Sequence, residues 1–303
     1  MKMIPAIALA AVFGFAMPMF AGCGQSTGST SPNSQTDSAS SMDQATPAGA
    51  ADGVRVSAID VGKGDCILIQ AGKSAALIDT GYSNTSDDVL SYLRGRGVGH
   101  LEFAVITHYD KDHIGGIGAI GKEIPIDTIY LPGYEGVDKN YRTLMKAVDG
   151  LGYPTRSVTE QLQLELGNAL LTLFPSGVAF VPDAYGDEGN DNDLSIAASL
   201  INGKDSYLFA GDLEEEGIAA FLERGLGRFG VLKVPHHGEK SPLTDELIDD
   251  VRPQVAIITD GDDDPADKKT LKLLEESGAD VYRTSTDGTI VIESNGTGTY
   301  TVS

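Results

Sequence analysis

The sequence predicts an α/β fold in which two β-sheets pack face to face and helices cover their outer surfaces. Short apolar runs typical of strands recur from Val54 onward, and amphipathic segments typical of helices lie between them. Hairpins are expected near both ends of this body and strand–helix units elsewhere, a pattern typical of layered sheets. A length of 303 residues accommodates one such domain with short appendages.

The strand candidates are short runs rich in β-branched and aromatic residues, bounded by turn-forming residues. In chain order they cover residues 54–60, 66–70, 75–79, 103–107, 128–131, 162–166, 170–174, 195–201, 207–210, 231–234, 255–259, 281–284, 289–293 and 300–302.

Each helix candidate has a recognisable beginning or end. Ser86 is expected to cap a helix that opens with two aspartates, and Thr244 is expected to cap one that Pro253 terminates. Further helices are predicted at residues 141–151, 214–222 and 267–276, the last of which ends at Gly278.

The first 22 residues are typical of a secretory signal, because Lys2 precedes an apolar stretch from residue 4 to residue 20. The stretch ends in Ala21-Gly22-Cys23, which resembles a bacterial lipobox, so we expect cleavage before Cys23 and lipidation of its thiol. An uncleaved membrane anchor and an ordinary signal peptide are the alternatives.

The composition changes abruptly after Cys23. Residues 23–52 are rich in Ser, Thr and Gly and carry almost no large apolar side chain, so we expect a disordered tether. The folded domain is expected to span residues 53–303. The resulting prediction is an extracytoplasmic lipoprotein of a bacterial cell membrane, held by its lipid and with no transmembrane segment in the mature form.

The formal net charge of −22 limits the classes of partner. A strongly acidic surface repels phosphate backbones at long range, which argues against tight, non-specific nucleic-acid binding. It is compatible with catalysis on a phosphodiester, because bound divalent cations reverse the local field. Of the two cysteines only Cys66 falls in the predicted domain, where its apolar neighbours predict a buried core residue and no disulfide.

The densest chemical signal follows the predicted strand 103–107. Two imidazoles and two carboxylates lie within six residues there, and two glycines follow them. These groups would repel one another or need partners unless something positive binds them, and neutral imidazole with carboxylate is the usual ligand set for zinc, manganese and iron. The sequence therefore predicts a metal site that includes His108, Asp110, Asp112 and His113.

This string resembles the H-x-H-x-D-H motif of the metallo-β-lactamase superfamily, with Asp110 in place of the second histidine. That variant is similar to the nuclease-like domain of ComEC-type DNA-uptake proteins and their free-standing relatives. Further segments resemble the same family in order along the chain: 60–65, 78–81, 192–195, 210–213, 233–238 and 282–290. The resemblance covers roughly residues 54–295 and implies a four-layer αββα metallo-β-lactamase sandwich.

The resemblance also implies a ligand set for two divalent ions, zinc or manganese. His108, Asp110 and one of His236 and His237 would bind the first ion. The second ion would be bound by Asp112 and His113, and Asp212 would bridge the two ions. Water activated by the ions would be the nucleophile, with Asp112 and Asp212 as the catalytic residues.

Other residues are assigned by their place in the same motifs. Substrate contacts are expected from Lys63, Asn192 and Ser195, although each also fits an ordinary turn position. Asp65 and Asp79 are expected to order loops and hold ligand histidines. Asp264 stands in the loop where the family usually places a further histidine, so it either substitutes for that group or is only solvated. His100 is expected to be a surface histidine.

The leading functional prediction is an extracytoplasmic metal-dependent hydrolase, most of all a phosphodiesterase or nuclease, with DNA as the first substrate to test. One alternative is hydrolysis of another ester or amide, such as a phosphocholine ester, a nucleotide or a lactone. Another is a lipoprotein that retains metal ions and binds a ligand without turnover. The sequence leaves the natural substrate, the metal identity and the oligomeric state open.

Overall fold

A computed structural model of the chain describes residues 53–181 and 190–303. The predicted signal peptide (1–22), the lipidated Cys23 and the tether (23–52) lie outside the described residues. Within the described ranges no helix combines the length and the apolar character needed to cross a membrane.

Within the described residues the first sheet contains eight strands in the order β15-β14-β1-β2-β3-β4-β5-β6. Its strands are β1 Val54–Ala58, β2 Ile67–Ala71, β3 Ser74–Ile78, β4 Leu101–Val105, β5 Ile126–Pro132, β6 Thr155–Val158, β14 Ile290–Ser294 and β15 Thr301–Val302. The strands from β3 to β6 pair in parallel, and the other pairs are antiparallel.

The second sheet contains seven strands in the part of the chain that the structure describes, in the order β13-β12-β11-β10-β9-β8-β7. Its strands are β7 Leu162–Leu166, β8 Ala169–Phe174, β9 Ala197–Asn202, β10 Asp205–Phe209, β11 Val231–Lys233, β12 Val255–Ile258 and β13 Asp280–Arg283. Antiparallel pairing from β7 to β10 gives way to parallel pairing from β10 to β13. Each sheet therefore has an antiparallel part and a parallel part.

Helices cover the outer face of each sheet. Those on the first sheet are α1 Ser86–Gly95, α2 Lys111–Ile114, α3 Ile117–Glu123 and α4 Lys139–Leu151, and those on the second are α5 Glu215–Leu222, α6 Thr244–Val251 and α7 Lys268–Ser277, while a short α8, Thr284–Asp287, follows β13. The apolar faces of α1, α3 and α4 pack on one side of the molecule, and those of α5, α6 and α7 on the other.

A central apolar core lies between the two sheets. Val56, Ile69 and Val105 of the first sheet share it with Tyr207 and Ile257 of the second, and all five are buried. Alternate residues of the same strands face the outer helices, as the two-residue period of a strand requires. The predicted four-layer αββα arrangement is confirmed.

The structure also contains elements that the sequence pattern did not predict. Strand β6 exposes three of its four residues at the edge of the first sheet, so it lacks the apolar alternation of a strand. Helix α3 contains two glycines, which lower helix propensity, but buried Ile117 and Ile120 hold it against the first sheet.

Two predicted helix caps are wrong. Ser86 and Thr244 are the first residues of their helices, and their hydroxyls donate to the carbonyls of Ser83 and Ser241 in the preceding turn. The predicted end of α7 at Gly278 is confirmed, because this glycine adopts the left-handed conformation (φ 86°).

Candidate metal centre

The candidate site lies where parallel strands of both sheets end. Asp79 follows β3 directly, and His108 comes three residues after β4. In the second sheet Asp212 comes three residues after β10, and His237 comes four after β11. Since the carboxyl ends of parallel strands meet at one edge, residues that are distant in sequence gather there.

Four side chains face one another at the centre of the site. His237 Nε2 lies 3.0 Å from Asp212 Oδ2 and 3.4 Å from Asp112 Oδ2. His113 Nε2 lies 3.3 Å from Asp212 Oδ2 and 3.4 Å from His237 Nε2. Two imidazole nitrogens and two carboxylates that converge in this way fit a divalent cation. We call Asp112, His113, His237 and Asp212 the second metal site.

A neighbouring group contains His108 and Asp110. The ligand atoms of His108, His113 and Asp212 lie within 4.8 Å of one another, and His108 Nε2 is 3.7 Å from Asp110 Oδ2. Among the described residues, neither His108 Nε2 nor Asp110 Oδ1 has a hydrogen-bond partner although both atoms are buried, so they are free to bind a cation. We call His108, Asp110 and Asp212 the first metal site, which shares Asp212 with the second.

The side chains of the two adjacent histidines have different neighbours. His236 and His237 both adopt left-handed backbone conformations (φ 48° and 52°), which are uncommon for residues other than glycine. His237 is buried beside Asp112 and Asp212, whereas His236 Nδ1 lies 3.0 Å from Glu214 Oε1. We expected one of the pair to join His108 and Asp110. The structure instead places His237 with Asp112 and His113.

Asp79 holds the far side of the His113 ring. Its Oδ2 lies 2.8 Å from His113 Nδ1, which as an N–H donates to the carboxylate. The backbone N–H and hydroxyl of Thr107 donate to the same carboxylate at 2.8 and 2.7 Å. This arrangement leaves His113 Nε2 as the nitrogen directed at the cluster.

Asp65 has the corresponding position behind His237. The Thr259 hydroxyl donates to Asp65 Oδ1 at 2.6 Å and lies 3.1 Å from His237 Nδ1. Asp65 and Asp79 thus lie behind the rings of His237 and His113, on the side away from the cluster.

Lys233 is a buried cation of the site that the sequence reasoning missed. Its Nζ lies 2.6 Å from Asp65 Oδ2 and 3.3 Å from Asp212 Oδ1, and it donates to the Gly211 carbonyl at 3.0 Å. The side chain is wholly buried. A lysine that ends an apolar strand just before two histidines was the available signal.

The charges of the cluster depend on one another. Burial opposes the protonated form of His237, but Asp212 and Asp112 raise its pKa to about 9. The pKa of His113 is raised well above 6.5, because Asp212 and Asp79 outweigh its burial. Against the effect of burial, His237 and His113 lower the pKa of Asp112 and of Asp212. Without a metal ion, each histidine of the cluster thus favours its protonated form and each aspartate its ionised form.

Ser195 and Asn192 were expected to contact substrate. Ser195 is wholly buried, with its Oγ 3.3 Å from His108 Nδ1, and it accepts a hydrogen bond from the Asp212 N–H at 3.1 Å. It therefore lies behind His108 and orders the first metal site from within. Asn192 Nδ2 donates to Glu214 Oε1 at 3.1 Å, close to the His236 ring.

The structure does not bring Lys63 or Asp264 into the cluster. Lys63 Nζ lies 2.6 Å from Asp264 Oδ2 and also pairs with Glu239. These two carboxylates raise the pKa of Lys63, although burial opposes its charge. The Asp264 side chain is 65% exposed, so it lies at the surface and not among the metal-ligating groups. His100 is exposed and Cys66 is buried, as expected.

Two glycines allow the loop that carries His108 and His113 to approach the end of β3. A Cβ on Gly116 would lie 2.2 Å from the Thr80 carbonyl oxygen, and one on Gly115 would lie 2.4 Å from the Ser83 nitrogen. No side chain fits at those distances, so the Gly115-Gly116 pair sets how closely His113 approaches Asp79.

Asp191 is a further acidic residue beside the first metal site. It is buried, and the Tyr109 N–H donates to its Oδ2 at 3.2 Å. Burial raises the pKa of Asp191 to about 6, and the Asp110 carboxylate adds to the increase. Nothing in the sequence singles it out, because the segment 190–195 contains several similar polar residues.

The family model of the metallo-beta-lactamase superfamily matches residues 59–258 of this chain. Recombination protein 2 of Haemophilus influenzae is 32% identical over 212 residues, which are 68% of this chain and 24% of that protein. ComE operon protein 3 of Bacillus subtilis is 27% identical over 271 residues, which are 82% of this chain and 34% of that protein. The chain thus spans about a quarter to a third of the length of these curated relatives.

Among solved structures, the metallo-beta-lactamase fold protein YhfI from Bacillus subtilis is similar with a TM-score of 0.51. The match covers 80% of this chain and all of that one at 14% sequence identity, so it bears on the fold alone.

Proposed function

Because this chain belongs to the metallo-β-lactamase superfamily, in its ComEC-like branch, we propose that it is a metal-dependent phosphodiesterase that acts outside the cytoplasm. Membership of this superfamily supports the coarser statement that the chain is a hydrolase. The phosphodiester substrate and the location are our proposals.

The convergence of four ligand side chains from both sheets carries this proposal. His113 and His237 present Nε2 atoms 3.4 Å apart to the carboxylates of Asp112 and Asp212. We propose two divalent ions, zinc or manganese, one in each metal site, with Asp212 shared. Bound there, such ions would lower the pKa of water and neutralise charge on a phosphoryl oxygen.

The protein's own residues would orient the reaction around these ions. Asp112 is the more exposed of the two catalytic carboxylates, with 15% of its side chain accessible against 3% for Asp212. It would therefore be the carboxylate that incoming water reaches, and it would accept a hydrogen bond that directs this water at phosphorus. Lys233 Nζ lies beside Asp212 Oδ1, and the Asp212 N–H donates to Ser195 Oγ. These two contacts would keep Asp212 in position when substrate binds.

The acidic character of the site favours a phosphodiester over a β-lactam. Asp110 stands where the family motif has a histidine, which makes the first metal site harder and suited to oxygen-preferring ions. Relatives include proteins named for recombination and competence, so DNA is the first substrate to test. The net charge of −22 opposes the binding of long duplex DNA. Nucleotides and short single strands are therefore the second class of substrate to test.

The proposed location depends on Cys23, which lies outside the described residues. In a cell that expresses the wild-type chain we expect the protein in the membrane fraction. The variant Cys23→Ser should appear in the soluble fraction, because it cannot accept the lipid. Equal distribution of the two proteins would remove the lipoprotein proposal and leave the enzymatic one intact.

Turnover of bis-p-nitrophenyl phosphate tests the activity itself. Chelator-treated protein should be inactive and should regain turnover with added manganese or zinc. We expect Asp112→Ala to lose about 100-fold or more of the rate, and the exposed Asp262→Ala to match the wild type. Absence of turnover with every metal, together with intact metal binding, would favour the alternative of a ligand-binding lipoprotein.

A matched substrate panel separates the remaining alternatives. It contains single-stranded and duplex DNA, nucleotides, a phosphocholine ester and a lactone. Hydrolysis of a non-phosphate ester at a higher kcat/KM than any phosphodiester would overturn the substrate proposal, because the same metal centre would then serve a different leaving group.

A further inference from the structure

A cavity of about 320 Å³ lies between helices α2 and α3 on one side and helix α4 on the other. Its lining includes the buried apolar side chains of Ile114, Ile117 and Leu144 and the exposed side chains of Lys111 and Lys139. The two lysines therefore lie nearer the mouth than the apolar groups. The volume is within the range of about 300–1,000 Å³ that is usual for sites that bind small molecules. We call this space the two-lysine cavity.

The two-lysine cavity adjoins the candidate metal centre. In the single turn of α2, Asp112 and His113 face the cluster, whereas Lys111 lines the cavity. Tyr82, on the loop after β3, lines the cavity as well. A Cβ on Gly64 would lie 3.0 Å from Asp112 Cβ and 3.3 Å from Tyr82 Cε2, so the tyrosine ring and Asp112 adjoin the same glycine. One helical turn thus separates the cavity from the metal centre.

Both charged side chains that line this cavity are positive. No aspartate or glutamate among the described residues lines it, and neither lysine forms an ion pair within residues 53–181 and 190–303. Acidic residues outnumber lysines and arginines by 44 to 22 in the whole chain, so two unpaired lysines at one cavity depart from its overall composition. Charges of one sign in a cleft focus the electric field and attract the opposite charge. The cavity therefore favours an anionic ligand.

The rest of the lining fits the other parts of a nucleotide. Lysine ammonium groups bind phosphate as point charges, and the ring of a tyrosine such as Tyr82 stacks on a base. A cationic groove beside an aromatic ring is the usual arrangement for binding single-stranded nucleic acids. The bases of a duplex are paired and stacked, so they could enter the cavity only after the strands separate.

We propose that the two-lysine cavity binds the nucleotide next to the scissile phosphodiester of a single-stranded nucleic acid. Lys111 and Lys139 contact the phosphate of that nucleotide, and Tyr82 stacks on its base. The inference rests on the proposed function, because it places the scissile phosphodiester at the metal centre. It narrows the substrate class to single strands and gives a chain with a net charge of −22 a local site for a polyanion.

A small set of substitutions tests these contacts in the full-length protein. Lys111→Met and Lys139→Met each remove one charge, whereas Lys139→Arg retains it. Tyr82→Leu keeps an apolar side chain but removes the ring. Lys204→Met is the matched control, because Lys204 is also exposed but lies in the turn before β10, at the end of that strand opposite to the metal centre. Melting curves and elemental analysis confirm that each variant is folded and holds its metal.

The experiment compares a short single-stranded oligonucleotide with bis-p-nitrophenyl phosphate, which has no neighbouring nucleotide. The ratio of the two kcat/KM values should fall about 10-fold in each Lys→Met variant of the cavity and in Tyr82→Leu. In those lysine variants the plot of log kcat/KM for the oligonucleotide against log salt concentration should become shallower by about 0.7, the slope of one phosphate contact. Tyr82→Leu, Lys139→Arg and Lys204→Met should keep the wild-type slope. A duplex of the same sequence should be cleaved at least about 10-fold less efficiently.

The outcomes distinguish this inference from the proposed function. If the wild type hydrolyses bis-p-nitrophenyl phosphate but neither Lys111→Met nor Lys139→Met changes the ratio or the salt slope, the inference is overturned and the phosphodiesterase proposal stands. Cleavage of the duplex as efficiently as the single strand would also overturn the inference alone. A wild type that hydrolyses no phosphodiester with any metal overturns the proposed function, and the role of the two-lysine cavity with it.

Discussion

The carboxylate of Asp79 lies 2.8 Å from Nδ1 of His113, and both side chains are wholly buried. A hydrogen bond of this kind selects one tautomer of the ring and fixes its orientation. Because the N–H and the hydroxyl of Thr107 both donate to the same carboxylate, the Asp79 side chain is held in one orientation. The ring of His113 is therefore held in place before any ion arrives.

Substitution of Asp79 by asparagine should weaken metal binding without removing a ligand. An amide carries no charge to support the ring, so we expect metal affinity to fall about 10–100-fold, the usual effect of losing such a partner. Calorimetric titration with zinc measures it. Asp87→Asn, on the exposed face of α1, is the control, and an Asp79→Asn affinity within twofold of the wild type would contradict this role.

The two adjacent histidines should behave differently. His237→Ala removes an imidazole directed at Asp112 and Asp212, so we expect the second ion to be lost at micromolar metal concentrations. His236→Ala should still bind two ions, because His236 contacts Glu214 instead. Elemental analysis of both variants after gel filtration decides the matter. Loss of an ion from His236→Ala alone would mean that His236, and not His237, binds the metal.

Removing the buried cation Lys233 should destabilise the protein. In Lys233→Met the carboxylates of Asp65 and Asp212 lose their counter-charge inside the fold, and breaking a buried pair costs about 3–5 kcal/mol. Urea denaturation of metal-free protein measures the free energy of unfolding. The exposed Lys272→Met should change it by less than about 1 kcal/mol, and an equal effect of the two substitutions would refute the prediction.

The metal-free protein should lose stability as pH rises. The pKa of His237 is about 9 in the folded chain against an ordinary 6.5. A raised folded pKa contributes stability that is fully present below pH 6.5 and disappears as pH approaches 9. We expect Tm in the presence of chelator to fall by at least about 3 °C over this window, the shift that 1 kcal/mol produces in a domain of this size.

Metal affinity should change in the opposite direction with pH. At neutral pH a proton must leave His237 before an ion binds, so binding releases protons and tightens between pH 6 and pH 9. Calorimetry in two buffers of different ionisation enthalpy counts the released protons. Binding that is independent of both pH and buffer would show that the histidines are already neutral.

The sequence was informative where the chemistry is local. His108, Asp110, Asp112 and His113 are adjacent along the chain and follow an apolar strand, so their proximity required no knowledge of the fold. The order of strands and helices indicated two sheets covered by helices, and the four-layer architecture followed from the resemblance of the motifs to the family. Strand β6 and helix α3 left no such pattern, since one is exposed at an edge and the other contains two glycines.

Other features depend on tertiary structure. Which of His236 and His237 faces the cluster is decided by two consecutive left-handed conformations, which nothing in the amino-acid types indicates. The burial of Lys233 and Asp191 depends on which loops meet at the sheet edge. Lys63 looked available for substrate because Asp264, 201 positions away, and Glu239 were not expected beside it.

The groups that converge in the second metal site come from loops of different sheets. His113 lies on a loop that follows a strand of the first sheet, and His237 on one that follows a strand of the second. An ion bound by both rings would crosslink the two sheets at the edge where their parallel strands end. By mass action, each tenfold excess of free metal over its dissociation constant would add about 1.4 kcal/mol to the free energy of unfolding. The free concentration of the bound ion would thus govern the equilibrium stability of the folded chain.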